Sequence, residues 1–348
     1  MGPVPHSEKH WGSSKMKIDV HNHFYPPRFL ERLQEEGPAI GITMYKDEWG
    51  RQVIAQHDNR IVTITPPMTD VERRMEDMDR AGVDIQILTL SAPSVEVFPP
   101  EMGRIMAKLV NDEFAEICAR YPNRFKAFAT LPFLDPEATV EELERCIEEL
   151  NFCGACIGTN LNGLTLDDEL LYPFYECMAE YKLPIHIHPR APADKRTYKD
   201  YRLGPMIGFE MEICVAAVRL IMGGVLERFP GLRFIVSHLG GALPYLAERI
   251  GRCYEAYPEC QEHLSRPAKE YLRDFYYDTV SFFEPALMCA YSFLGAERLV
   301  LGSDYPHVIG DIHEAVASIE RLGIPPEEKE LIFSANILRL IQPHEGEA

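Results

Sequence analysis

Apolar and polar positions follow two rhythms along this chain. Short apolar runs occur at Lys17–Val20, Asp84–Leu90, Phe125–Thr130, Ala155–Gly158, Pro184–His188, Arg233–Ser237, Phe275–Asp278 and Leu299–Gly302. They predict eight buried strands. Between them, longer stretches carry apolar residues at helical spacing. These predict helices over Thr69–Ala81, Gly103–Tyr121, Glu137–Leu150, Glu169–Tyr181, Met211–Phe229, Leu243–Tyr254, Pro285–Phe293 and Ile312–Leu322, with a last one over Pro326–Ile341. Thr69 and Asp70 supply an N-terminal cap for the first, Gly82 a stop, and Pro122 ends the second. Strands alternating with helices imply parallel strands joined by crossovers. Eight such units in this length predict an α/β fold, a (β/α)8 TIM barrel closed by a C-terminal helix.

Two connections are longer than an ordinary strand-to-helix loop. Residues 24–67 follow the first strand, with a hairpin expected from Met44–Asp47 and Gln52–Gln56 around Glu48-Trp49-Gly50. Residues 189–209 follow the fifth and are rich in Lys, Arg, Tyr and Pro. Both leave the C-terminal ends of strands, where barrel active sites lie. The polar residues 1–15 read as a disordered leader, and 16–348 as a single domain.

Composition narrows the function classes. The formal charge of −19 disfavours nucleic acid and anionic membrane as partners. It also means that an anionic substrate must be gripped by local cations. The nine cysteines are scattered and odd in number, which fits free thiols in a reducing, cytoplasmic compartment. No apolar run approaches the roughly 20 residues that cross a bilayer.

The candidate chemistry sits where strands end. His21 and His23 close the first strand two residues apart, so their side chains share a face. His186 and His188 end the fifth strand, His238 follows the sixth, and Asp304 follows the eighth. Imidazoles and one carboxylate at one barrel rim suit a borderline divalent ion.

The order of these groups resembles the amidohydrolase superfamily. More narrowly, the chain resembles the amidohydrolase-2 branch of aminocarboxymuconate-semialdehyde decarboxylase-like proteins. The matching text is Met16-Lys17-Ile18-Asp19-Val20-His21-Asn22-His23, Ile187-His188-Pro189, Gly224-Val225-Leu226-Glu227-Arg228-Phe229-Pro230, Ser237-His238-Leu239-Gly240-Gly241 and Gly302-Ser303-Asp304-Tyr305-Pro306. The resemblance implies a mononuclear site in which His21, His23, His188 and Asp304 bind one divalent ion, zinc or manganese, with no organic cofactor. His238 and Asp304 are then the acid/base groups, and His186 is the rival fifth-strand ligand. The fourth strand end, Cys156-Ile157-Gly158-Thr159-Asn160-Leu161, lacks the lysine that bridges two metals in binuclear relatives.

What the resemblance implies for activity is a non-oxidative decarboxylase of a hydroxylated aromatic or related unsaturated carboxylic acid. The alternative is a hydrolase of a lactone, amide or ester using metal-activated water. Arg249, Arg60, Arg190 and His307 are the expected substrate-binding residues. Arg249 matches an arginine that reaches a neighbouring subunit's site, which implies a homodimer or higher homo-oligomer. Only one arginine, Arg60, stands where the decarboxylase carries two, which argues against aminocarboxymuconate itself as substrate.

Overall fold

The computed structural model describes residues 16–342, apart from 58, 193, 195 and 199. The leader expected over 1–15 lies outside the described residues. Ile18–His23, Ile85–Thr89 and Phe125–Ala127 form one parallel sheet with Ile85–Thr89 in the middle. A second parallel sheet runs in the order Leu299–Val300, Tyr276–Asp278, Arg233–Val236, Pro184–His188, Ala155–Gly158 and Ala129–Thr130. The run expected as one strand over 125–130 is therefore shared between the two sheets. Phe128 N donates to Leu88 O, and Ala129 N donates to Gly154 O. At the opposite edges, Val20 N donates to Leu301 O at 2.9 Å and His23 N to Tyr305 O at 2.8 Å. Backbone bonding thus continues from the last parallel strand to the first.

The strands are apolar on both faces, as parallel strands covered by helices must be. Ile185, Ile187, Phe234, Val236, Leu299 and Leu301 belong to the main core with the surrounding helices. Ile18, Val20, Ile85, Ile87, Ile235 and Val300 form a smaller cluster that the C-terminal residues Ile337, Leu340 and Ile341 join. The first strand carries one extra residue between Asp19 and Asn22 relative to its partner. Such a bulge re-aims side chains. Val20 joins the apolar cluster, while His21 and His23, of opposite parity, meet the other histidines.

The elements depart from expectation in three places. The first insertion, expected as loop around a hairpin, holds a helix, Pro27–Glu36, and three antiparallel strands, Ile42–Lys46, Gln52–Gln56 and Asn59–Thr63. The helix expected over Met211–Phe229 is two, Phe209–Met222 and Val225–Arg228. They separate at Gly224, whose φ of 72° ends one helix before the next begins. The last helix is interrupted by a wide turn over Leu331–Ala335. Among the described residues, no helix is long and apolar enough to cross a membrane.

Candidate metal and proton-transfer site

Three imidazole nitrogens and one carboxylate oxygen converge at the strand ends. His188 Nε2 lies 3.0 Å from His23 Nε2, and His21 Nε2 lies 3.2 Å from the same atom. Asp304 Oδ1 is 3.1 Å from His23 Nε2 and 3.3 Å from His21 Nε2. All four residues are buried, with their donor atoms within 4.8 Å of one another. Donor atoms bound at ~2.1 Å around one ion stand about 3 Å apart, so the set fits a single transition-metal ion.

Their outer nitrogens are fixed by further partners. His21 Nδ1 meets Asp278 Oδ2 at 2.6 Å, and His23 Nδ1 meets Thr89 Oγ1 at 3.0 Å. His188 Nδ1 lies 3.1 Å from Arg190 Nη1. Such partners orient ligating imidazoles and set their basicity.

Charge states follow from burial and neighbours. Burial, reinforced by neighbouring positive groups, pushes His188 well below the ordinary imidazole value. His23 is likewise pushed well down by burial, against the opposing hydrogen bond with Asp304. Both are therefore neutral and able to donate a lone pair. Burial alone would raise Asp304, but its contacts with His21 and His23 outweigh it and hold the carboxyl well below its usual range. His21 runs the other way. Burial opposes its charge, yet Asp278 and Asp304 raise it to about 10.

His186 does not reach this cluster. Its Nε2 lies 3.1 Å from Ser237 Oγ and 3.7 Å from Asp278 Oδ2, while its Nδ1 lies near Cys156 Sγ. Because the Ser237 hydroxyl also donates to Ile187 O, it accepts from His186. His186 thus sits behind His21, in a second buried group with Asp278.

His238 adjoins the cluster without joining it. Its ring stacks on that of His21 with centroids 5.2 Å apart. Nδ1 is 2.8 Å from Glu210 Oε1, and Nε2 is 4.0 Å from Asp304 Oδ2. That Nε2 is buried and has no hydrogen-bond partner among the described residues. Burial lowers the imidazole's affinity for a proton, but the Glu210 carboxylate more than compensates, so the net shift is upward.

The four expected substrate-binding residues divide. Arg190 is beside the site, its guanidinium between His188 and the Glu96 carboxylate at 2.5 Å. His307 is also there, its ring centroid 4.7 Å from that of His23 and its Nε2 3.0 Å from Ser91 Oγ. Arg60 is tied down within the insertion sheet by Thr63 at 2.8 Å and Asp47 at 3.3 Å. None of its hydrogen bonds or ion pairs among the described residues involves the cluster. Arg249 is exposed on helix Leu243–Ala256. Trp49 stands 68% exposed at the tip of the insertion sheet, with Arg51 over its ring, which suits neither packing nor pocket lining.

Sequence reading did not single out Asp278 or Glu210. Asp278 obeys the same strand-end rule as the histidines, ending Tyr276–Asp278, and could have been found by it. Glu210 gives no such signal, because it lies on a helix 28 residues before its partner.

A family model described as amidohydrolase matches residues 18–342. The chain belongs to the amidohydrolase family. This amidohydrolase is 29% identical over 331 residues to the 2-amino-3-carboxymuconate-6-semialdehyde decarboxylase of Dictyostelium discoideum, covering 94% of this chain and 91% of that protein. It is 33% identical over 313 residues to the gamma-resorcylate decarboxylase of Rhizobium sp. (strain MTP-10005), covering 83% and 88%. Among solved structures it is similar to a dihydroxybenzoic acid decarboxylase from Polaromonas sp. JS666, determined with bound manganese and the inhibitor 2-nitroresorcinol. The TM-score is 0.79 at 28% identity, over 96% of this chain and 98% of that one. The amidohydrolase described here thus falls in the decarboxylase branch, and it carries a site for one divalent ion.

Proposed function

We propose that this amidohydrolase is a metal-dependent, non-oxidative carboxy-lyase acting on a hydroxylated aromatic or related unsaturated carboxylic acid. The observation that carries the reading is the convergence of His21, His23 and His188 Nε2 with Asp304 Oδ1, beside one imidazole nitrogen, of His238, that has no hydrogen-bond partner among the described residues. A divalent ion bound there would supply a Lewis acid that anchors and polarises the substrate's oxygens. Zinc is our assignment for the ion, with manganese the competitor, since imidazole and carboxylate suit both.

The chain's own groups do the rest. Arg190 offers a cation to the substrate carboxylate at the edge of the site. His238 Nε2 takes up a proton on the site side, and Asp304 Oδ2, across the same gap, passes a proton to the carbon bearing the carboxylate. The carbon–carbon bond then breaks and its electron pair returns to the ring. One proton is consumed, one CO2 leaves, and one new C–H bond remains. Hydrolysis would use the same residues to take a proton from water instead.

We assign the two parallel sheets to one closed (β/α)8 barrel, residues 16–348, on the strength of the shared segment 125–130 and the hydrogen bonds between first and last strands. Exposed Arg249 is offered to a second copy's site in a homodimer, and the cytoplasm is the compartment that suits buried free thiols such as Cys146 and Cys153. The test uses metal-loaded protein and a panel of hydroxybenzoic and unsaturated acids in heavy water. The expected result is CO2 release, one deuterium on the carbon that carried the carboxyl group, and loss of turnover on chelation. Product with unchanged carbon count and solvent oxygen incorporated would instead establish the hydrolase. A fully metallated protein that releases no CO2 from any acid overturns the proposal.

A further inference from the structure

We infer that Glu210 is a positioning residue that fixes the His238 ring with Nε2, rather than Nδ1, facing the metal cluster. The ionised carboxylate only accepts hydrogen bonds, so Nδ1 at 2.8 Å must carry the proton it donates. In the neutral ring Nε2 is then the bare nitrogen. That is the buried atom without a hydrogen-bond partner among the described residues, 4.0 Å from Asp304 Oδ2. With Nδ1 engaged, proton exchange with substrate or water runs through Nε2. The opposite tautomer would aim a protonated nitrogen at the site and leave a bare one against the carboxylate.

The backbone is built to bring the two residues together. His238 and Leu239 both occupy the left-handed region, with φ of 50° and 56°, and Gly240 and Gly241 follow at 74° and 59°. At Gly241 a side chain is doubly excluded. Its φ is unfavourable for other residues, and a Cβ would overlap the carbonyl oxygen of Glu210. Cys214, one helical turn beyond Glu210, fastens the same turn through Gly240 O and Ala242 N. The helix Phe209–Met222 leaves the second insertion and presses directly on the turn that carries His238. Glu212, on the same helix, is occupied differently, accepting from Asn160 Nδ2 at 2.8 Å. The second insertion thus reaches the proton-transfer histidine through one carboxylate. That carboxylate is only partly buried, so its replacement leaves the core untouched.

The kinetic arm of the test rests on the decarboxylase reading, whereas the spectroscopic arm needs no substrate. Zinc-loaded protein labelled with 15N-histidine reports ring tautomers, with the His238 signals assigned from the His238→Asn spectrum. At a pH high enough to leave the His238 ring neutral, wild type is expected to show it protonated on Nδ1 and bare on Nε2. Glu210→Ala and Glu210→Leu are expected to shift that population towards Nε2–H. They should lower kcat about 10- to 100-fold, a share of the 10²–10⁴ that a positioned acid or base supplies, with KM and zinc content unchanged. Glu210→Gln retains an acceptor oxygen and is expected to keep the wild-type tautomer and most of kcat. A wild-type tautomer pattern in whichever of Glu210→Ala or Glu210→Leu folds overturns the inference, as does zinc loss in proportion to lost activity. If no acid is turned over by wild type, the decarboxylase reading fails while the tautomer result still decides the role of Glu210.

Discussion

Asp278 Oδ2 lies 2.6 Å from Nδ1 of His21, with both side chains fully buried. The carboxylate fixes which nitrogen of His21 is free and where it points. It also touches the group around His186, which tethers it from behind. We predict that Asp278→Ala weakens metal binding about 10- to 100-fold, the usual cost of losing a carboxylate behind a ligating imidazole. Competition with a chromogenic chelator measures this. Affinity equal to wild type would make the carboxylate a bystander.

The two fifth-strand histidines should behave differently when truncated. His188→Ala is expected to cost more metal than His186→Ala, because only His188 Nε2 enters the cluster. Asp304→Asn should lose both metal and turnover, whereas His238→Asn should lose turnover and keep most of its metal. Elemental analysis of the purified variants gives the order. A reversed histidine order would move the ligand one pleat down the strand.

Metal uptake should release a proton. In the metal-free protein, Asp278 and Asp304 raise His21 to about 10, so at pH 7 its ring carries two protons. An ion taking Nε2 must displace one of them. Apparent affinity therefore rises with pH up to the neighbourhood of that value, and falls as pH is lowered. Calorimetry at pH 7 in two buffers of different ionisation enthalpy should return about one proton released per ion. A buffer-independent heat would contradict the assignment.

Much of this site was legible because parallel strands end at a common rim. His21, His23, His188, His238 and Asp304 each sit at or just past a strand's C-terminal end, and a period of two picks the partner of His23. The bulge at Val20 was not legible, since an extra residue in one strand is defined only by its neighbour's register. The helix Pro27–Glu36 was visible in outline, with Phe29 and Leu33 four apart and both buried, but was absorbed into a stretch read as loop. Asn59–Thr63 escaped because a five-residue edge strand carries too little pattern beside the hairpin it extends. The placement of Arg60 depended on that strand's register and so could not be read either. Glu210 was beyond reach for a different reason, since its role exists only through a tertiary contact.

His23 and Asp304 touch across 281 positions of chain. During synthesis, the growing polypeptide has its three imidazoles long before it has the aspartate, and the last stretch must reach back to the first strand before the cage exists. A ribosome-bound chain halted short of residue 304 should therefore capture an ion only loosely. Tight uptake then reports that the two ends of the fold have met.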